Sequence, residues 1–252
     1  FAADAGSTTR LAGSIDASNA PISLGSLVLV GNTTIDPVNS PGSDVTITGD
    51  VSGDYALVVN AGTGTVTFAD RIVVNSVDVD AAAIVFDSGF AVVDDVTEHS
   101  VETTGVQIYR STIDPAAGTV VLLQDTSLAG TTVTIGGLVD SGDDGATPAV
   151  STEKTLTIVG DAVFTGAIGE TNELGSLEVT GETDLSGNIS TSGNQTYSGP
   201  VTVSAPATLT SGSTIDFANI AATADLAVAA ALVELTGSSV SSTGSVELTG
   251  ET

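Results

Sequence analysis

The sequence predicts an all-β fold, a parallel β-solenoid (β-helix) built from degenerate repeats, with a row of tandem antiparallel β-sandwich domains as the alternative. Three observations carry the prediction. Short apolar runs alternate with Thr, Ser or Glu along the chain, the apolar residues are small or β-branched, and distant stretches of the sequence resemble one another.

Alternation is visible in Leu27-Val28-Leu29-Val30, Val45-Thr46-Ile47-Thr48, Val66-Thr67-Phe68, Val133-Thr134-Ile135, Leu156-Thr157-Ile158-Val159, Val201-Thr202-Val203 and Val246-Glu247-Leu248. Successive side chains of a strand point to opposite faces, so this pattern buries one set and leaves the other in water. Gly, Asp, Asn and Ser bound the runs, which is turn chemistry. Hydrophobic residues make up 41% of the chain and are mainly Val, Ile, Leu and Ala, enough apolar surface to offset chain entropy. Aromatics are scarce, with three Tyr, six Phe and no Trp, and the apolar mass therefore favours strands packed by aliphatic contact.

Self-similarity is clearest between Leu177-Glu178-Val179-Thr180-Gly181-Glu182-Thr183 and Val246 through Thr252, 69 residues on. Leu24-Gly25-Ser26-Leu27 lines up with Leu174-Gly175-Ser176-Leu177, and Ile47 through Phe68 with Ile215 through Leu235. These pairings suggest units of roughly 70 to 90 residues, each several strands long. The segment 221–232 reads as helix on propensity, but its counterpart, Leu57-Val58-Val59, reads as strand, and strand is expected at both places. Residues 1–86 and 153–252 are β-repeat regions. The stretch 87–152 is a divergent or inserted β region.

Charge bounds the partners. The chain has 31 acidic and 4 basic residues, a net charge of −27. Such a surface repels phosphate backbones and anionic headgroups, which argues against nucleic acid as a partner. No apolar run reaches the ~18 residues of a membrane span, and none of the opening residues reads as a leader. The absence of Cys removes disulfides, thiolate metal sites and thiol nucleophiles.

The segment Gly193-Asn194-Gln195-Thr196-Tyr197-Ser198-Gly199-Pro200-Val201-Thr202-Val203, followed by Ala207-Thr208-Leu209-Thr210-Ser211-Gly212-Ser213-Thr214-Ile215-Asp216-Phe217, resembles the repeat of giant bacterial surface proteins of the filamentous-haemagglutinin and autotransporter-adhesin type. Leu57 through Phe68 is similar to the next part of that unit. The resemblance covers about half the chain, around 45–70 and 153–252, and departs in the middle. It implies export to the cell surface, a stacked-strand rod, an adhesive or scaffolding role and host or surface glycans as partners. It brings no catalytic residues.

Candidate chemistry is sparse, and no enzyme is expected. His99 is the only imidazole, and although Glu98 and Ser100 flank it, no nucleophile-elbow motif accompanies them. Asp78 with Asp80 and Asp94 with Asp95 are carboxylate pairs of the kind a glycosidase needs, but 31 acids supply such pairs freely. No cofactor is required. Calcium is the one ion the acids suit, with Asp140, Asp143 and Asp144 in a Gly-containing loop as candidate ligands, although neither an EF-hand nor a nonapeptide calcium motif occurs. Asn32, Asn188 and Asn194 head glycosylation sequons. Tyr55, Tyr109 and Tyr197 are packing candidates, and Gly62-Thr63-Gly64 lacks the helix and Lys of a phosphate loop.

The expected function is a structural or adhesive extracellular element, either an adhesin stalk or a filament subunit, which self-associates end to end or continues in a larger polypeptide. The alternative is a carbohydrate-binding or carbohydrate-cleaving β-helix, which requires an aromatic and carboxylate groove on one face. An ice-binding solenoid requires a regular Thr array, and the spacing of Thr here is irregular.

Overall fold

The structure, a computed structural model, describes residues 6–17, 20–37, 43–87, 92–93, 96–97, 100–111, 118–142, 153–237 and 239–251. All regular structure in them is strand, and the strands join in one parallel sheet system coiled into a β-solenoid of about ten turns. Among the described residues the only antiparallel pair is a small hairpin, Val92–Val93 with Val96–Thr97, and the parallel pairing of the rest sets aside the sandwich alternative. The helix-prone stretch lies in two strands, Thr214–Ala222 and Leu226–Leu235.

Each turn crosses three faces in a fixed order, and an inward residue on each face starts a ladder that runs the length of the rod. On the second face the ladder reads Ile15, Ile35, Val59, Val79, Tyr109, Ile135, Phe164, Leu185, Val203, Ala222 and Ser242. The third face carries Ile22, Val45, Val66, Ile84, Val120, Val139, Ile168, Ile189, Leu209, Val228 and Leu248, aliphatic at every rung. The first face runs from Thr9 and Leu27 through Val101 and Ile158 to Tyr197, Phe217 and Leu235. Because the three ladders face one another, nearly all of these side chains are fully buried in a single continuous core. Each buried Val, Leu or Ile contributes about 1.5–3 kcal/mol relative to exposure.

The structural repeat is one turn, from 18 residues (Thr9 to Leu27) to 36 (Ile84 to Val120), and not the unit of 70 to 90 residues that the alignments suggest. Leu177 to Val179 belongs to the first face, whereas its look-alike, Val246 to Leu248, belongs to the third. Strands on all three faces do the same packing job, so similarity arises between faces as readily as between turns. With ten steps at ~4.8 Å the rod is about 50 Å long. The region 87–152 keeps the ladders through Val101, Tyr109, Val120, Leu128, Ile135 and Val139.

Corners are where the chain turns from face to face, and stacked turns bring their backbones very close there. Gly137, Gly166 and Gly187 form a column between the second and third faces. A Cβ on Gly166 would lie 2.0 Å from the Gly137 carbonyl oxygen, and one on Gly187 would lie 2.1 Å from that of Gly166. No side chain fits unless two turns separate. Gly166→Ala should therefore lower stability by about 2 kcal/mol or more in urea unfolding. Gly6→Ala, where a Cβ meets nothing within 4 Å, should leave it unchanged.

Candidate functional site

Many of the exposed Asp and Asn residues are used by the fold. Among the described residues, Asp44 accepts a hydrogen bond from the Thr65 amide (2.8 Å), Asp125 from Thr155 (2.9 Å), Asp161 from Glu182 (2.9 Å) and Asp225 from Ser245 (2.9 Å). In each case the donor lies one turn further along, so the side chain staples a corner to its successor. A short acceptor at a turn supplies the bond that the β ladder omits there.

The three sequon asparagines belong to the same set. Asn32 accepts from the Ala56 amide (3.2 Å), Asn188 from Thr208 (2.9 Å) and Asn194 from Thr214 (3.3 Å), and all three side chains sit at exposed corners. Asp140 is buried, and its Oδ1 accepts from the amides of Thr171 (3.1 Å) and Asn172 (3.3 Å). Its other candidate calcium partners, Asp143 and Asp144, lie outside the described residues, as do His99, Asp94 and Asp95. Among the described residues no three His, Cys, Asp or Glu side chains are grouped to hold a metal ion. Asp78 pairs with Arg110 at 2.8 Å across neighbouring turns, and Arg110 stands opposite Asp80 in the ladder.

The tyrosines divide in a way the sequence reading missed. Tyr109 and Tyr197 are fully buried, and each donates its hydroxyl to a buried glutamine two residues earlier, Gln107 (2.9 Å) and Gln195 (3.1 Å). The glutamine Nε2 in turn donates to a backbone carbonyl further along the coil, Ala129 (2.8 Å) or Thr210 (2.7 Å), and to a threonine four residues before it, Thr103 or Thr191. Each threonine hydroxyl donates to the carbonyl two residues on, at Gly105 or Gly193. The result is a closed polar plug inside an apolar core. Its signature, Thr-x-Gly-x-Gln-x-Tyr, occurs at 103–109 and 191–197 and would have revealed a second copy beside Gln195-Thr196-Tyr197. Burial pushes both phenols well above the ordinary tyrosine range, so they remain donors. Rings extend the packing: Tyr197 stacks on Phe217 (5.3 Å), and Phe86 meets Tyr109 edge-on (5.4 Å).

Tyr55 is different, being 40% exposed while every other described aromatic is buried. It follows Asp54 at a bulge where the ladder skips between Gly53 and Ala56. Gly53 has φ +131, and a Cβ there would meet the Leu29 carbonyl oxygen at 2.4 Å, so the bulge depends on glycine. Beside it the first face holds two adjoining depressions of about 220 and 380 Å³, which share Val73. Asp54, Asn75, Glu102 and Thr104 line the smaller, and Asp50, Ser52, Asp70 and Arg71 the larger. Arg71 pairs with Glu102 at 2.8 Å.

Comparison with protein-family models, with curated proteins and with solved structures gives no match. What the chain can do is therefore read from its own geometry.

Tyr197→Phe removes the donor to a buried Gln195 Oε1 and should cost about 1–2 kcal/mol in urea unfolding, whereas the exposed Tyr55→Phe should cost nothing measurable. The Asp225 carboxyl is held below its ordinary range, first by the Ser245 amide and then by the Ser245 hydroxyl. A depressed carboxylate adds stability above its unfolded pKa and loses it as pH falls through the folded value. Acidification should therefore loosen the last turn, seen as a lower protection of the Ser245 amide relative to its intrinsic exchange rate at each pH. Asp225→Asn, which keeps the acceptor oxygen but cannot be protonated in this range, should remove that dependence.

Proposed function

We propose that the chain is a structural, non-enzymatic rod of the cell exterior, an adhesin stalk or a filament subunit. The observation that carries this reading is the uninterrupted run of three inward ladders over about ten turns. A long parallel stack in which every turn is bonded to both neighbours is stiff along its axis and can be extended without a new kind of contact.

Two further features support it. The rod wears its charge as isolated carboxylates on corners and outward positions, which keeps an elongated surface hydrated and discourages lateral clumping. The last rung leaves Leu235 and Val240 more than 40% exposed. Their ladder partners in the preceding turn, Phe217 and Ile220, are buried, and in the proposed assembly a further coil covers Leu235 and Val240 likewise, whether of the same polypeptide or of another copy.

Immunogold labelling of intact source cells tests the reading. Gold should decorate external fibres or a surface layer without permeabilisation. Label reaching the protein only after the envelope is opened would overturn it.

A further inference from the structure

We propose that Asn32, Asn188 and Asn194 are sites of covalent N-glycosylation, one on each long edge of the rod. Asn32 takes the chain from the first face (Leu27) to the second (Thr33), Asn188 from the second (Leu185) to the third (Ile189), and Asn194 from the third (Thr191) to the first (Gln195). The fold singles out these three. Each accepts a backbone amide from the next turn on its side chain, and each heads a sequon. The other described asparagines, Asn60, Asn75, Asn172 and Asn219, do neither.

The geometry presents both groups that a transferase reads. Each asparagine leads into extended chain, so it and the hydroxyl two residues on project to the same side while the residue between them points inward. Thr33, Ile189 and Gln195 are those inward residues, all buried, and Thr34, Ser190 and Thr196 carry the outward hydroxyls. The staple to the next turn occupies Oδ1 only. Nδ2, the atom that receives a sugar, makes no hydrogen bond among the described residues at any of the three, whereas Nδ2 of Asn75 donates to Thr104 Oγ1 at 3.1 Å. An acceptor is all that such a corner needs, since Asp44, Asp125, Asp161 and Asp225 do the same job with a carboxylate. The amide nitrogen of these asparagines is therefore surplus to the fold. Beside Asn188 a depression of about 320 Å³, lined by Pro206, Ala207 and Thr208 of the next turn, leaves room for a first sugar.

The step is a glycosyl transfer with no change of oxidation state. Nδ2 attacks the anomeric carbon of a sugar held as a phosphate ester on a lipid or nucleotide carrier. The C1–N bond forms, the C1–O bond to phosphate breaks, the carrier leaves with its phosphate, and the Nδ2 proton passes to a base of the transferase. The amide keeps its carbonyl oxygen, so the corner staple survives the modification. Sugars on three edges add a bulky hydrated layer outside the carboxylates. The inference rests on the proposed function for its purpose, a sheath around an exposed rod, but its chemistry is tested separately.

Peptide mass mapping of the chain purified from its source cells, with fragmentation to place each sugar, tests the proposal. Asn32, Asn188 and Asn194 should each carry at least one sugar, and Asn60, Asn75, Asn172 and Asn219 none. One preassembled oligosaccharide mass marks a lipid carrier, and a series in single-sugar steps marks a nucleotide carrier; either supports the assignment. Thr196→Val, expressed in the source, should strip the sugar from Asn194 and leave Asn188 modified, with an unchanged unfolding midpoint. Asn188→Asp keeps the staple acceptor and should lose only the sugar at that position, which serves as a second lesion should the first variant fail to fold. Bare asparagines at the three positions, or a sugar that persists at Asn194 in Thr196→Val, would overturn the inference. Bare asparagines in protein that gold labelling places outside the cell leave the proposed function standing, whereas modified protein found only inside the envelope overturns that function and not the sites.

Discussion

Everything in this molecule answers to one constraint: each turn must return to within a strand spacing, ~4.8 Å, of the turn before, in register on all three faces. A slip of one residue would turn the apolar side chains of a face outward. The inward positions therefore hold mainly Val, Ile and Leu, which stack on their own kind without loss of fit, and loop length is free to vary because it does not enter the register. Turns of 18 and of 30 residues coexist in the same ladder for that reason.

The corners show the cost of the constraint and how it is met. Backbones approach so closely there that glycine columns such as Gly137, Gly166 and Gly187 are obligatory. Amides that lose their ladder partners are taken up by Asp or Asn from the preceding turn, as Asp161 does for Glu182 and Asn188 for Thr208. Where a carbonyl is left inside, a buried glutamine reaches it and a tyrosine completes the glutamine, at Gln107 and Tyr109 and again at Gln195 and Tyr197. The acidity of the chain is thus partly architectural, since several of the carboxylates are corner staples.

The strands and their inward residues were legible in the sequence because alternation is a local property: Val45-Thr46-Ile47 and Val201-Thr202-Val203 announce their buried members directly. The size of the repeat was not legible. All three faces select the same residues, and a match such as Leu177 with Val246 says nothing about which face either occupies. Tyr55 and Tyr197 look alike as strand entries, yet one is exposed and one buried, because the difference lies in the bulge at Gly53 and in Gln195, contacts that only the fold brings together. Asp140 has the composition of a loop ligand, and its carboxylate is spent on two backbone amides 31 and 32 residues away.

The central claim is the stacking itself. X-ray diffraction from a flow-aligned specimen of the purified protein tests it most directly. A reflection at ~4.8 Å along the rod axis is the predicted result, since the strands run across that axis and repeat along it. The same spacing found only at right angles to the long axis would contradict the account.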